Sequence, residues 1–145
     1  MNKGEIYSSS LILIEGDKKM KYFTIEINGE EIHLRLRSND IIELEKKANK
    51  SIIEVMKDVS QTNIVNMLTY MRRFEIPNYS TKDANDLYDK FVDNDYSMND
   101  IVFKIIYETL VVSGVMTKQE LERLKEIVGL QEKKTKTAIE ELSQK

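Results

Sequence analysis

Between Tyr22 and Arg37 the chain alternates apolar and polar residues with a period of two. Phe23, Ile25 and Ile27 alternate with Thr24 and Glu26, and then Ile32, Leu34 and Leu36 alternate with His33 and Arg35. A strand turns successive side chains to opposite faces, so this segment predicts a β-hairpin with one apolar face. Asn28-Gly29 suits a two-residue type I′ turn, which sets Glu26 opposite Glu31, two like charges. A four-residue loop, Asn28 to Glu31, sets Glu26 opposite His33 instead. Both registers keep the same apolar face, so the pattern leaves both open. Two strands alone are marginal, and their apolar face requires a cover of helices.

After Arg37 the period lengthens and helix-start chemistry recurs: Asp40 with Glu43, Ser51 with Glu54, Ser80 with Asp83, Ser97 with Asp100 and Thr117 with Glu120. An acid three residues after the cap reaches back to the capping residue's amide and favours the positive end of the helix dipole. A sixth helix, without such a box, is expected from about Thr62 to Phe74, closed by Pro77. In Thr81 to Asp93 the residues Ala84, Leu87, Tyr88, Phe91 and Val92 share one face. From Met98 to Ser113 apolar residues nearly encircle the helix, which predicts the central, most buried element, stopped by Gly114. The fold class is therefore α+β: an N-terminal hairpin packed on five to six helices, with Ile101 to Val112 at the centre.

Three regions follow. Residues 1–19 read as an N-terminal arm, residues 20–128 as one globular domain, and residues 129–145 as a mobile charged tail in which Ala138, Ile139 and Leu142 offer a weak last turn. For the arm, two readings stand side by side: a genuine arm with a short strand at Ser10 to Ile14, or a segment upstream of a native start at Met20. A codon choice for Glu15-Gly16-Asp17 would place a ribosome-binding sequence ahead of that methionine. With 145 residues, 41% hydrophobic and 32% charged, the chain is neither disordered nor membrane-spanning, since no apolar run approaches the roughly 20 residues a span needs. A net charge of -3 argues against neutralising nucleic-acid phosphates as the main task. The absence of cysteine and of a secretory apolar stretch reads as cytoplasmic.

Signals for catalysis are missing. The single histidine, His33, falls inside a strand beside Arg35 and glutamates, which suits a partly exposed strand residue better than a catalytic base. Glycines are scattered singly, so there is no phosphate loop and no cofactor is expected. Asp93-Asn94-Asp95 with Ser97 opens like a calcium loop, but Met98 and Lys104 stand where glycine and glutamate are needed, so no metal is expected and a solvated turn explains it better. Arg72-Arg73 beside Phe74, and Arg35 with Arg37 near Tyr22, lie among many acids, which favours charge pairing over nucleic-acid binding. Met67, Leu68, Tyr70, Met71 and Phe74 form a thioether and aromatic stripe, which is either plain core or the lining of a groove for a partner helix. If there is a groove, Met67, Tyr70, Met71 and Phe74 are its candidate apolar lining, with Arg73 at the rim.

The order of these elements carries a resemblance. A hairpin ends in Ile32-His33-Leu34-Arg35-Leu36. A helix with Leu44-Glu45-Lys46 follows, and Ser51-Ile52 opens the next. Pro77-Asn78-Tyr79-Ser80-Thr81-Lys82-Asp83-Ala84 leads into Leu87-Tyr88-Asp89, and an apolar helix ends in Val112-Ser113-Gly114. From about Met20 to Gly114 this arrangement resembles the tail assembly chaperones of long-tailed bacteriophages and prophages. The resemblance implies a non-enzymatic protein of the bacterial host cytoplasm. It would bind the long, helical tape-measure protein during tail morphogenesis and be absent from the mature virion. It also implies a programmed frameshift near Glu132-Lys133-Lys134, whose longer product recruits tail tube subunits. Homo-oligomerisation stays open, and the alternative reading is a small structural subunit, a connector or tail component, of a phage particle.

Overall fold

The structure, a computed structural model, describes residues 7–14 and 18–129. The expectations for the Glu15-Gly16-Asp17 segment and for residues 130–145, including the mobile tail and the Lys133 region, lie outside the described residues. Three strands form an antiparallel meander in the order β1 (Tyr7–Ile14), β2 (Lys18–Ile27) and β3 (Glu30–Leu34). The helices are α1 (Ser38–Ala48), α2 (Ile52–Lys57), α3 (Gln61–Arg72), α4 (Thr81–Asp93), a central helix spanning residues 98–112, and a last described helix at residues 118–129. The architecture is α+β.

Between β2 and β3 the tight register wins. Phe23 pairs with Leu34, Glu26 with Glu31 and Ile27 with Glu30. Asn28 and Gly29 have φ of 53° and 80°, the positive values that a two-residue I′ turn requires at both positions. The like charges of Glu26 and Glu31 are tolerated because the Glu31 carboxylate bonds His33 Nε2 at 3.0 Å. Phe23, Ile25, Ile27, Ile32, Leu34 and Leu36 are all buried on one face, where the end of the central helix packs on β2.

Four of the five helix starts stand where the boxes place them. Ser80 and Asp83, Ser97 and Asp100, and Thr117 and Glu120 each exchange side-chain to backbone bonds of 3.0 to 3.1 Å, and the Ser51 hydroxyl accepts from the Glu54 amide. The first start is corrected. Asp40 is not the cap but the third residue of α1, where its carboxylate accepts from the backbone N–H and the guanidinium of Arg37 at 3.0 Å. The helix expected from Thr62 begins one residue earlier, after Ser60, whose hydroxyl accepts from the Asn63 amide. The Asn63 side chain in turn donates to the carbonyls of Val55 and Asp58, tying the end of α2 to the first turn of α3.

On α4, Ala84, Leu87, Tyr88 and Phe91 are buried as the periodicity predicts, but Val92 is 45% exposed and does not belong to the packed face. The helix closes in a left-handed cap at Asp95, with Tyr96 N–H bonded to the Phe91 carbonyl at 3.1 Å and the two rings 5.7 Å apart. This is the double-bonded helix end with its apolar clasp that usually uses glycine. The solvated turn between Asp93 and Ser97 is accounted for by that closure and by the Ser97 cap.

The central helix starts as Met98–Asp100, passes through a π-helical turn at Ile101–Ile106 and ends as Tyr107–Val112. In the π turn the Tyr107 amide donates to the Val102 carbonyl, five residues back. Ile101, Val102, Ile105, Ile106, Tyr107 and Leu110 are all buried. The Tyr107 hydroxyl donates to the Met56 carbonyl at 2.9 Å, and burial pushes its pKa up to about 12. Gly114, with φ of 81°, stops the helix as expected, and Ser113 Oγ accepts from the Leu36 amide at 2.8 Å, joining the helix end to the chain leaving β3.

Candidate functional site

The stripe on α3 divides. Met67 and Met71 are 1% and 0% exposed and belong to the core, so neither lines an open groove, and that expectation is corrected. The reason is positional. Met71's own carbonyl accepts from the Arg35 amide at 2.9 Å, which ties the last turn of α3 to the chain leaving β3, and both thioethers lie in the core. Tyr70, Arg73 and Phe74 remain half-buried at the surface.

The helix expected to reach Phe74 ends at Arg72, because the Arg73 amide tightens to the Tyr70 carbonyl. Phe74 and Glu75 thereby leave the helix and reach the polar side of the hairpin. Phe74 stacks with Tyr22, ring centroids 6.2 Å apart and planes at 27°, and Tyr22 lies 4.5 Å from the His33 ring. Beside this stack the Arg73 guanidinium sits 4.7 Å from the centre of the Tyr70 ring, held by an Nε bond to the Tyr79 carbonyl at 3.0 Å. Arg72 lies 5.3 Å from the Tyr79 ring. The result is a ledge of half-buried aromatic faces and guanidinium planes, a combination suited to recognising protein surfaces.

A charge network underlies the ledge. His33 Nδ1 is 2.7 Å from Glu75 Oε2 and Nε2 is 3.0 Å from Glu31 Oε1, so each ring nitrogen faces a carboxylate and the imidazolium satisfies both. Burial pushes the His33 pKa down, but the hydrogen bonds and charges of Glu31 and Glu75 outweigh it and hold the group above its ordinary 6.5. Burial likewise pushes Glu75 up, and the His33 and Arg72 bonds and charges outweigh it, leaving the carboxyl below its ordinary 4.5. Arg72 Nη1 donates to Glu75 Oε1 and to the His33 carbonyl, both at 2.9 Å. Arg35 Nη1 donates to the Lys21 carbonyl.

Both His33 nitrogens lie against carboxylates, so neither is turned free toward solvent or a substrate. Among the described residues no group of three or more histidines and acids is placed to hold a metal ion. An open hollow of about 240 Å³ between β3 and α4 is lined by Glu30, Arg72, Tyr79, Asp83 and Lys90 among others, and its charges already pair, Lys90 Nζ with Glu30 Oε1 at 3.0 Å.

Of the expected site residues, the structure brings Tyr70, Arg73 and Phe74 to one surface and withdraws Met67 and Met71. Tyr22, His33, Arg72 and Glu75 complete that surface and were not among the residues expected to line a partner groove. The strand alternation does place Tyr22 and His33 on the polar face of the hairpin, but nothing local signals that Glu75, 42 residues further on, returns to His33. No protein-family model, curated protein or solved structure matches this chain. Among the described residues no helix is long and apolar enough to cross a membrane.

Proposed function

We propose that this chain is a non-enzymatic tail assembly chaperone of long-tailed bacteriophages or prophages. It acts in the cytoplasm of the bacterial host, keeps the tape-measure protein soluble during tail morphogenesis, and is left out of the finished virion. What supports the reading is the ledge of Tyr70, Arg73, Phe74 and Tyr22, taken together with the resemblance carried by the ordered motifs of the sequence. Flat aromatic faces with guanidinium planes give a long helical client many contacts with little loss of side-chain freedom. The charged surface around them, part of a chain that is 32% charged residues, keeps the complex dispersed. A longer product made by a frameshift near Lys133 recruits tail tube subunits.

Co-expression with a tape-measure protein of a long-tailed phage tests this. The expected outcome is that the tape-measure protein stays in the soluble fraction and co-purifies, and that Phe74→Glu and Tyr70→Glu, in chains that remain folded, lose the co-purification. Aggregation of the tape-measure protein regardless of this chain refutes the proposal. Recovery of the chain in stoichiometric amount from purified particles replaces it with the structural-subunit reading.

A further inference from the structure

The two edges of the sheet are finished in opposite ways. β3 is five residues long, carries Glu30 and Glu31, and is overlaid by the end of α3, with the Arg35 amide bonded to the Met71 carbonyl and Arg72 bonded to the His33 carbonyl. β1 is eight residues long and runs in unbroken register along β2, from Tyr7 opposite Ile25 to Ile14 opposite Lys18, with no bulge. Among the described residues no strand lies beyond it. Its sequence, Tyr-Ser-Ser-Ser-Leu-Ile-Leu-Ile, holds no charge, proline or glycine. Charges, prolines, bulges and short length are the usual means by which a sheet edge is kept from pairing, and β1 has none of them. In addition, β3 pairs with Phe23 to Ile27, so among the described residues the Lys18 to Tyr22 half of β2 has β1 as its sole strand partner. A two-stranded ribbon of that kind is marginal without further strands.

We propose that β1 pairs with β1 of a second copy of this chain, antiparallel about a two-fold axis, joining two three-stranded sheets into one of six strands. The chemistry of the edge selects this occupant. A two-fold contact sets each residue against another from the same short segment, and this segment, holding no charge, brings no like charges together and leaves no charge unpaired. With the axis at Ile12, Leu11 falls opposite Leu13 of the second copy and Ile12 opposite its own counterpart, aliphatic against aliphatic. A charged strand of a different protein would find no complementary charge along β1 to choose it. Ser10 of β1 lies opposite Tyr22 of the ledge, but the pairing uses the other edge of β1, and the inference stands whether or not the chaperone reading holds.

Sedimentation equilibrium of the full chain tests it, with a mass of twice 17.0 kDa expected across the micromolar range. A mass of 17.0 kDa throughout that range overturns the proposal. Ile12→Lys is expected to be monomeric with an unchanged circular dichroism spectrum, and mixing it with Ile12→Glu to restore the dimer. An Ile12→Lys protein that stays dimeric places the interface elsewhere and refutes the pairing. Should the lysine variant fail to fold, Ile12→Cys decides the matter, because the chain has no cysteine of its own. Under mild oxidation it is expected to form a disulfide-linked dimer faster than Lys46→Cys on exposed α1, and equal rates refute the pairing.

Discussion

Truncating Met71 separates a core residue from a client-binding one. Its side chain is wholly buried, and its backbone carbonyl keeps the bond from the Arg35 amide whatever the side chain is, so the cost of Met71→Ala is one of packing alone. Removing a fully buried methionine forfeits about 1.5–3 kcal/mol of transfer free energy, and the residual cavity brings the usual total to about 2–5 kcal/mol. Met71→Glu adds a desolvated carboxyl with no partner, a further cost of about 1–3 kcal/mol even when neutral, which approaches the roughly 5–15 kcal/mol that holds a whole domain together. Urea unfolding followed by far-ultraviolet circular dichroism reads both. Met71→Ala is expected to lower the midpoint with an unchanged slope, and Met71→Glu to leave little folded protein. A loss under about 1 kcal/mol for Met71→Ala refutes the packing argument and returns Met71 to the surface.

Tyr107→Phe removes the donor to the Met56 carbonyl and should cost about 1–2 kcal/mol in the same unfolding assay; an ultraviolet titration of the parent should show one tyrosine that resists ionisation until about pH 12. Ser80→Ala deletes the cap of α4 and should cost about 1 kcal/mol, and no change would mean that the amide of Asp83 finds another acceptor. The His33 network should make stability depend on pH. The raised His33 contributes fully below 6.5 and is lost as pH climbs through its folded value, while the lowered Glu75 contributes above 4.5 and is lost as pH falls through its folded value. The stability difference between the parent and Glu75→Gln should therefore be largest between those two pH values, and a difference that grows toward alkaline pH contradicts the network.

The alternation of β2 and β3 and four of the helix starts were legible because each is written within a few residues. Register was not, since both pairings put Phe23, Ile25 and Ile27 on the same side; what decided it was that Asn28 and Gly29 both take positive φ and that Glu31 finds His33. The pattern Asp40 with Glu43 imitates a capping box, yet the capped amide is that of Arg37, three residues earlier, a position where the sequence shows none of the usual capping residues. The π turn is hidden for a different reason. Apolar residues nearly encircle the central helix, so a change in the number of residues per turn leaves no gap in the pattern. At the site, the thioether stripe was visible but its direction was not, because the contact that ties the end of α3 to the hairpin joins backbone atoms of residues far apart in the chain. The aromatic ledge depends on the early end of α3 at Arg72, which frees Phe74 and Glu75 to cross to the hairpin.

The π-helical turn at Ile101–Ile106 also bears on how this chain tolerates change in length. A single residue removed from an ordinary buried helix rotates everything beyond it by about 100°, turning core side chains to water. A π turn already holds one residue more than the α spacing needs, so deletion there lets the backbone fall back into regular α geometry. Lys104, exposed in the middle of that turn, is the residue whose loss removes least packing. The central helix is thus a place where one codon can be lost while the faces of Met98–Asp100 and Tyr107–Val112 keep their present directions.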